Sequence, residues 1–258
     1  MSAPDLAALV REARDAEGTA LVAERCLPLL DLTSLSGQET EAEIERLCAR
    51  AREHGVAAVC IYPAHVALAR SLLDGSKVLV ATVAAFPAGG DDIGRAVDEV
   101  AAAVGDGAQE VDLVAPLEAV AQGDIGMVEE LVVAARAAAG KGVTLKLILE
   151  TGRFSEPSVI TAMARAAVMG GIDFLKTSTG KIPVGATPEA AALLLAVIQE
   201  AGGRVGFKAA GGVRTVADAA VYLDLAGRIL GPDWIGPGRF RIGASGLLDD
   251  IASVIAAG

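Results

Sequence analysis

Aromatic, histidine and cysteine residues are scarce in this chain of 258 residues. Phenylalanine, tyrosine and tryptophan make up 3% of it, beside two histidines and three cysteines. Cys26, Cys48 and Cys60 lie far apart and form no CxxC pair, so the spacing argues against a disulfide framework or a metal site. With 53% hydrophobic residues and so few rings, the helices must pack closely on small alanine and leucine side chains.

Positive charge is also in deficit, since 33 acidic residues outnumber 22 basic ones and the net charge is -11. A surface of that sign argues against binding to nucleic acid, which requires neutralisation of phosphates. No uncharged apolar run reaches the roughly 18 residues of a membrane span, and the first residues lack the basic start and apolar core of a signal peptide. We therefore expect a cytoplasmic protein that binds neither nucleic acid nor membrane.

Strand-like and helix-like patterns alternate along the chain. The predicted strands are Leu27–Leu32, Ala57–Tyr62, Val78–Phe86, Glu110–Val114, Thr144–Glu150, Phe174–Thr177, Arg204–Lys208 and Arg239–Gly243. Eight strands, spaced by roughly 30 residues and each followed by an alanine-rich helical pattern, predict an α/β fold of the (β/α)8 barrel type.

The whole chain, residues 1–258, is expected to form a single barrel domain, because barrels of this length are usually one domain. An amphipathic pattern over residues 4–25 predicts an N-terminal capping helix within residues 1–25. Two of the predicted barrel helices are Glu39–Gly55 and Pro188–Ala201. A doubly wound open sheet is the alternative, but its G-x-G-x-x-G fingerprint is absent after the first strand.

Period-two alternation indicates which strand residues point into the barrel. In the fifth predicted strand the leucines share one face and suit the helix-covered outside, so Lys146, Ile148 and Glu150 face inward. The same rule gives inward side chains at Asp31, Asp112, Lys176 and Lys208. These charges could pair as a buried structural network, but such a network carries a desolvation cost. Their place at the strand ends, where barrel enzymes keep their chemistry, favours a functional site.

Two lysines, Lys176 and Lys208, are each followed by a glycine-containing loop. A free lysine has a pKa of about 10.4 and is therefore protonated and not nucleophilic at neutral pH. Two ammonium groups about 5 Å apart, at an effective dielectric constant of ~20, repel each other by roughly 3 kcal/mol, which lowers one pKa by about 2. One lysine could then form a Schiff base with an aldehyde. The spacing alone does not say which lysine reacts and which perturbs it.

Asp112 is the inward carboxylate best placed to carry a proton for such a reaction, directly or through a water. Its alternative role is a salt bridge to Lys146 or Lys208, and the two roles are compatible.

The loops after the last two predicted strands suit a phosphate. Gly211 and Gly212 follow the seventh strand, and Gly243 and Ser245 end the eighth. Glycine lets backbone N–H groups approach an anion, and a helix N-terminus adds a favourable dipole. Barrel enzymes often bind phosphate at this place, although ordinary strand-to-helix turns would also account for the glycines.

These motifs together resemble the deoxyribose-phosphate aldolase family along nearly the whole chain. The matching segments are Asp31-Leu32-Thr33, Val59-Cys60-Ile61-Tyr62-Pro63, Phe86-Pro87 with Gly89 and Asp91-Asp92-Ile93, Glu110-Val111-Asp112, Leu145-Lys146 with Glu150-Thr151-Gly152, Lys176-Thr177-Ser178-Thr179-Gly180-Lys181, the run from Gly206 to Arg214, and Gly243-Ala244-Ser245. The lysine-bearing motifs are highly specific when they occur together in this order.

The resemblance implies a class I aldolase without cofactor or metal. Its reaction would be the reversible cleavage of 2-deoxy-D-ribose 5-phosphate to acetaldehyde and D-glyceraldehyde 3-phosphate, in deoxyribose catabolism. It implies Lys176 as the Schiff-base lysine, Lys208 as the group that lowers its pKa, and Asp112 as proton donor and acceptor. The residues implied in substrate or phosphate binding are Asp31, Thr33, Cys60, Lys146, Thr179, Lys181, Gly211, Gly212, Gly243 and Ser245. The expected partners are a small phosphorylated sugar, aldehydes and further copies of the chain in a homo-oligomer.

One position departs from the family pattern. Family members commonly have a second serine after Ser245, where this chain has Gly246. One hydroxyl donor to phosphate would be lost, at a cost of roughly 1 kcal/mol. Two other functions stay open at this point: a Schiff-base barrel aldolase acting on keto-acid or ketose phosphates, and a non-catalytic barrel that binds sugar phosphates.

Overall fold

Eight parallel strands close into a barrel in the computed structural model, which describes residues 5–258. The strands are β1 (Leu30–Ser34), β2 (Ala58–Ile61), β3 (Leu79–Ala84), β4 (Glu110–Val114), β5 (Thr144–Ile148), β6 (Phe174–Lys176), β7 (Gly206–Ala210) and β8 (Phe240–Ala244). Each strand pairs with the next along the chain, and β8 pairs with β1. The prediction of a (β/α)8 barrel is confirmed.

Helices follow the strands and surround the barrel. They are α1 (Leu6–Ala13), α2 (Ala20–Cys26), α3 (Glu41–His54), α4 (Val66–Leu72), α5 (Ile93–Gly105), α6 (Leu117–Ala121), α7 (Gly126–Ala139), α8 (Pro157–Met169), α9 (Pro188–Glu200), α10 (Val216–Leu230) and α11 (Leu247–Ala257). Between residues 5 and 258, no helix is long and apolar enough to cross a membrane.

Helix α3 shows how local chemistry sets a boundary. The Thr40 hydroxyl accepts a hydrogen bond from the Glu43 backbone N–H, and the Glu43 carboxylate accepts one from the Thr40 backbone N–H, which forms a capping box. The helix ends at Gly55, whose left-handed φ of 64° costs glycine no steric clash. The predicted helix Glu39–Gly55 is therefore too long at both ends, because its outermost residues lie at or beyond the caps.

The N-terminal segment forms two helices, so the prediction of one helix over residues 4–25 is wrong. Thr19 starts α2 anew, because its hydroxyl accepts a hydrogen bond from the Val22 backbone N–H. Gly18 lies so close to α10 that an added Cβ would be 2.6 Å from the Ala217 backbone nitrogen. Helix α1 packs on α9 and α10, and α2 packs on α10 and α11. Residue 4 of the predicted range lies outside the described residues.

Several predicted strands were bounded wrongly, some of them where the backbone changes conformation. β5 ends at Ile148, because Glu150 has a left-handed φ of 48° and leads into a 3-10 turn. β1 starts late, because Leu27–Leu29 is a 3-10 helix. β7 continues to Ala210, two residues past the predicted end.

The barrel interior has an apolar side and a charged side. On β2 and β3 the inward positions hold the small residues Ala58, Cys60, Ala81 and Val83, which pack with Leu35. The inward positions of the other strands carry a charge cluster, which consists of Asp31, Glu110, Asp112, Lys146, Lys176, Lys208 and Arg241, all buried. The alternate, outward residues pack against the helices and form the main hydrophobic core.

Gly206 leaves room for the ring of Phe174, since an added Cβ would lie 2.5 Å from a ring atom. We expect Gly206→Ala to lower the free energy of unfolding by about 1–3 kcal/mol, the usual cost of overpacking, as measured by urea denaturation. Gly105→Ala is the control, because no other described residue comes within 4 Å of its Cβ position. It should be neutral or slightly stabilising. Equal losses in the two variants would exclude the Phe174 contact as the cause.

Candidate active site

Asp112 is the centre of the charge cluster. Lys146 Nζ donates to its Oδ1 at 2.8 Å, and Lys176 Nζ and Lys208 Nζ each donate to its Oδ2 at 2.7 Å. Because both nitrogens lie 2.7 Å from one oxygen, Lys176 Nζ and Lys208 Nζ are at most 5.4 Å apart. The strand register causes this proximity, since Lys176 and Lys208 are direct partners in the pairing of β6 with β7.

Asp31 and Glu110 connect these lysines to Arg241. Asp31 accepts a hydrogen bond of 2.5 Å from Lys208 and one of 2.6 Å from Arg241. Glu110 accepts a hydrogen bond of 2.5 Å from Lys146 and bonds of 2.7 and 3.2 Å from Arg241. Every carboxylate of the cluster therefore has at least two cationic partners, which is the condition for keeping buried charges ionised.

The charges of the cluster do not cancel. Its cations are Lys146, Lys176, Lys208 and Arg241, and its anions are Asp31, Glu110 and Asp112, so the fully ionised cluster carries one excess positive charge. Lys176 is the cation with a single carboxylate partner, whereas each of the other three contacts at least two. Loss of the proton from Lys176 would make the cluster neutral.

The lysine pKa values separate accordingly. Burial lowers the pKa of Lys176, and the neighbouring Lys208 ammonium lowers it further, against the attraction of Asp112. Burial also opposes the charged form of Lys208, but the carboxylates of Asp112 and Asp31 outweigh it and raise the pKa of Lys208. The pKa of Lys146 is raised in the same way, against burial, by Asp112 and Glu110. The geometry thus favours Lys176 as the neutral amine.

The same three lysines shift the pKa of the Asp112 carboxyl group. Its burial opposes ionisation, yet the three surrounding lysine ammonium groups hold the pKa of Asp112 well below its ordinary value. Beside it lies the thiol of Cys60, with Sγ 3.9 Å from Asp112 Oδ2. Burial raises the pKa of Cys60, which keeps the thiol protonated.

A cavity of about 440 Å³ opens at the carboxyl ends of β1, β6, β7 and β8. Among the seven cluster residues, Lys176 alone lines it. The predicted binding residues on its wall are Thr33, Thr179, Lys181, Gly211, Gly212, Gly243 and Ser245. The other three, Asp31, Cys60 and Lys146, are completely buried in the barrel interior instead.

One end of the cavity is suited to an anion. Gly211 and Gly212 have φ values of 85° and 91°, the left-handed conformation in which glycine can turn its backbone N–H groups towards a ligand. Gly246 lines the cavity at the N-cap of α11, so the positive end of that helix dipole also faces this region. Arg214 and Lys181 add positive charge to this part of the wall. The Nζ of Lys181 donates to the backbone carbonyl of Leu35.

Glu150 supports the wall of the cavity and is not part of the charge cluster. Its carboxylate accepts hydrogen bonds from the backbone N–H and the hydroxyl of Thr179. The predicted strand Thr144–Glu150 is too long, because β5 ends two residues before Glu150. The contribution of Glu150 is to fix the loop that presents Thr179.

Sequence reasoning missed three residues of the site. Glu110 precedes Asp112 by two positions and Arg241 precedes Gly243 by two, so the alternation rule would have found both. Arg214 ends a matching family motif but has no expected role there, whereas the structure places it on the cavity wall. In the described part of the chain, no set of three His, Cys, Asp or Glu side chains is placed to hold a metal ion.

The chain is similar to known aldolases in sequence and in structure. The model of the DeoC/LacD family aldolases matches residues 26–249. The deoxyribose-phosphate aldolase of Agrobacterium fabrum (strain C58) is 46% identical over 235 residues, which is 90% of this chain and 91% of that protein. The solved structure of QR15, an aldolase, is 30% identical with a TM-score of 0.76, over 90% of this chain and 96% of its own.

A more distant structure shows the fold alone. The tetrameric deoxyribose phosphate aldolase from Aeropyrum pernix is 23% identical, with a TM-score of 0.76, and the match covers 99% of this chain and 100% of that one.

Proposed function

Because the chain belongs to the DeoC/LacD family of aldolases, we propose that it reversibly cleaves 2-deoxy-D-ribose 5-phosphate through a Schiff base on Lys176. The products would be acetaldehyde and D-glyceraldehyde 3-phosphate. The observation that carries this proposal is the position of Lys176, the cluster residue that lines the cavity and whose pKa is lowered. The substrate follows from the name of the Agrobacterium fabrum relative, and the anion-suited end of the cavity supports it.

The proposed reaction starts with neutral Lys176, which adds to the sugar aldehyde and loses water to give an iminium. A proton leaves the 3-hydroxyl, the adjacent carbon–carbon bond breaks, and the phosphorylated aldehyde departs. Asp112, held as an anion, is the proposed proton acceptor, and the Lys208 ammonium is the proposed donor that protonates the enamine. Hydrolysis then releases acetaldehyde and regenerates the amine.

The substrate phosphate is proposed to lie against the loops after β7 and β8. Gly211, Gly212, Gly243 and Ser245 would offer backbone donors, and Lys181 would add a positive charge. We propose that Asp31, Cys60 and Lys146 support the site from within the barrel, since their complete burial leaves them off the cavity wall.

Reductive trapping tests the lysine roles. Treatment with acetaldehyde and borohydride should add mass to the peptide that contains Lys176, and Lys176→Leu should abolish this. Lys208→Leu should keep the trapping but move its pH dependence upward, because loss of the neighbouring cation raises the pKa of Lys176 and only the neutral amine reacts. Peptide mass spectrometry over about pH 6 to 10 measures both effects.

Lys141→Leu is the matched control for Lys208→Leu, because it removes the same charge from an exposed position. Trapping on the peptide that contains Lys208 would exchange the two lysine roles. No trapping in the wild-type protein would favour a non-catalytic sugar-phosphate-binding barrel. Activity with a ketone donor in place of acetaldehyde would favour an aldolase acting on keto-acid or ketose phosphates.

Gly246 should weaken the preference for phosphorylated substrates. A serine fits there, because φ is -105° and none of the described residues comes within 4 Å of the Cβ position. We expect Gly246→Ser to lower the KM for deoxyribose 5-phosphate roughly fivefold, the equivalent of one added hydrogen bond of about 1 kcal/mol, with no change for deoxyribose. Gly246→Ala controls for the added carbon. An unchanged KM would exclude a role for the missing hydroxyl.

We also expect a homo-oligomer in the cytoplasm. The name of the Aeropyrum pernix protein describes a tetramer, but its 23% identity supports the fold and not the assembly of this chain. Light scattering on the purified protein measures the mass in solution. A monomeric mass would contradict this expectation.

A further inference from the structure

Arg241 has several hydrogen-bond partners and does not line the cavity. Its Nε donates to the Pro237 backbone carbonyl at 2.5 Å, and its other nitrogens donate to Asp31 and Glu110. The guanidinium carbon lies 5.9 Å from the centre of the Phe174 ring, within the range of a cation–π contact. Because Arg241 is 4% exposed and is not on the cavity wall, we expect it to make no contact with a molecule bound there.

The contacts of Arg241 determine what the lysines experience. Asp31 gives one oxygen to Lys208 and the other to Arg241. Glu110 shares one oxygen between Lys146 and Arg241, and its second oxygen binds Arg241 alone. Without Arg241, one oxygen of each carboxylate would lose its partner, and the attraction of both anions would act on the lysines.

We propose that Arg241 is a positioning residue that supplies the excess positive charge which makes Lys176 give up its proton. Glu110, as an anion, has the opposite effect and favours the protonated form of Lys176. This inference rests on the proposed Schiff-base role of Lys176. With Arg241 present, four cations face three carboxylates, and a neutral Lys176 leaves the cluster uncharged. Without Arg241, a protonated Lys176 would be needed to reach the same neutrality.

The groups that act on Lys176 come from all sides of the barrel. Asp112 from β4 contacts Lys176 directly, and Lys208 from β7 and Cys60 from β2 lie beside that carboxylate. Lys181 and Arg214 lie on the cavity wall. The remaining charged groups of the cluster are Asp31 from β1, Glu110 from β4, Lys146 from β5 and Arg241 from β8, which join Asp112 or Lys208 through one or more ion pairs. The inward residues of β3, Ala81 and Val83, are uncharged. Glu110 and Arg241 are thus one pair of opposite charges that can be removed without changing a group on the cavity wall.

The initial rate of acetaldehyde trapping by borohydride, measured against pH on the full chain, tests the inference. A unit charge about 10 Å away, at an effective dielectric constant of ~20, moves a titration midpoint by roughly one pH unit. Arg241→Gln should raise the midpoint by about that amount, with roughly tenfold slower trapping at neutral pH that recovers at high pH. Glu110→Gln should lower the midpoint by a similar amount, and the double variant should return it near the wild-type value.

Two further variants separate charge from structure. Arg241→Lys keeps the charge and should keep the wild-type midpoint, even if it weakens folding through the loss of the two-pronged contact. Arg165→Gln removes the same charge from an exposed pair with Glu200 and should leave the midpoint unchanged. A purely structural role for Arg241 would lower the amount of active protein without moving the midpoint.

An unchanged midpoint in Arg241→Gln, or shifts of the same direction in Arg241→Gln and Glu110→Gln, would overturn the inference. If circular dichroism shows that Arg241→Gln does not fold, the test rests on Glu110→Gln. An unchanged or higher midpoint in Glu110→Gln would then overturn the inference. A wild-type protein that traps no acetaldehyde at any pH would overturn the proposed function as well, which separates the two failures.

Discussion

The hydrogen bonds from three lysine side chains to the Asp112 carboxylate are the interaction on which the rest of the structure depends. A carboxylate buried without partners would be prohibitively unfavourable, and so would each lysine alone. The partners meet because β4, β5, β6 and β7 pair in one register. A slip of one residue would turn these side chains into the hydrophobic layer beneath the helices. The strand register that closes the barrel is therefore the same register that brings the charged partners together in its interior.

The site divides its work between two levels of the barrel. The charge cluster lies within the interior, and we propose that it determines which amine holds a proton. The loops at the carboxyl ends of the strands form the cavity, and in the proposed function they select the molecule that reaches that amine. Lys176 belongs to both levels, since it donates to Asp112 and also lines the cavity. This combination distinguishes Lys176 from the other three cations of the cluster and is the basis of its proposed reactivity.

The sequence patterns predicted well whether a strand residue points into the barrel or towards the helices. They predicted less well how deep in the interior an inward residue lies. Alternation placed Lys146 and Lys176 inside correctly, because the pleat of a strand fixes a period of two. It did not show that Lys146 is sealed in the interior while Lys176 reaches the cavity. The predicted strand end at Glu150 was wrong, because the left-handed residue that ends the regular backbone has no signal in the hydrophobic pattern. The break between α1 and α2 was missed although Gly18 and the N-cap residue Thr19 are both signals for it.

The single excess charge of the cluster also bears on the covalent intermediate. An iminium on Lys176 is a permanent cation, and it would lie where the cluster disfavours a fourth positive charge. The carbon bound to that nitrogen would be unusually electron-poor, which would speed both the withdrawal of electrons from the breaking bond and the final attack of water. The same imbalance that frees the amine would thus keep the adduct from becoming a resting state of the protein.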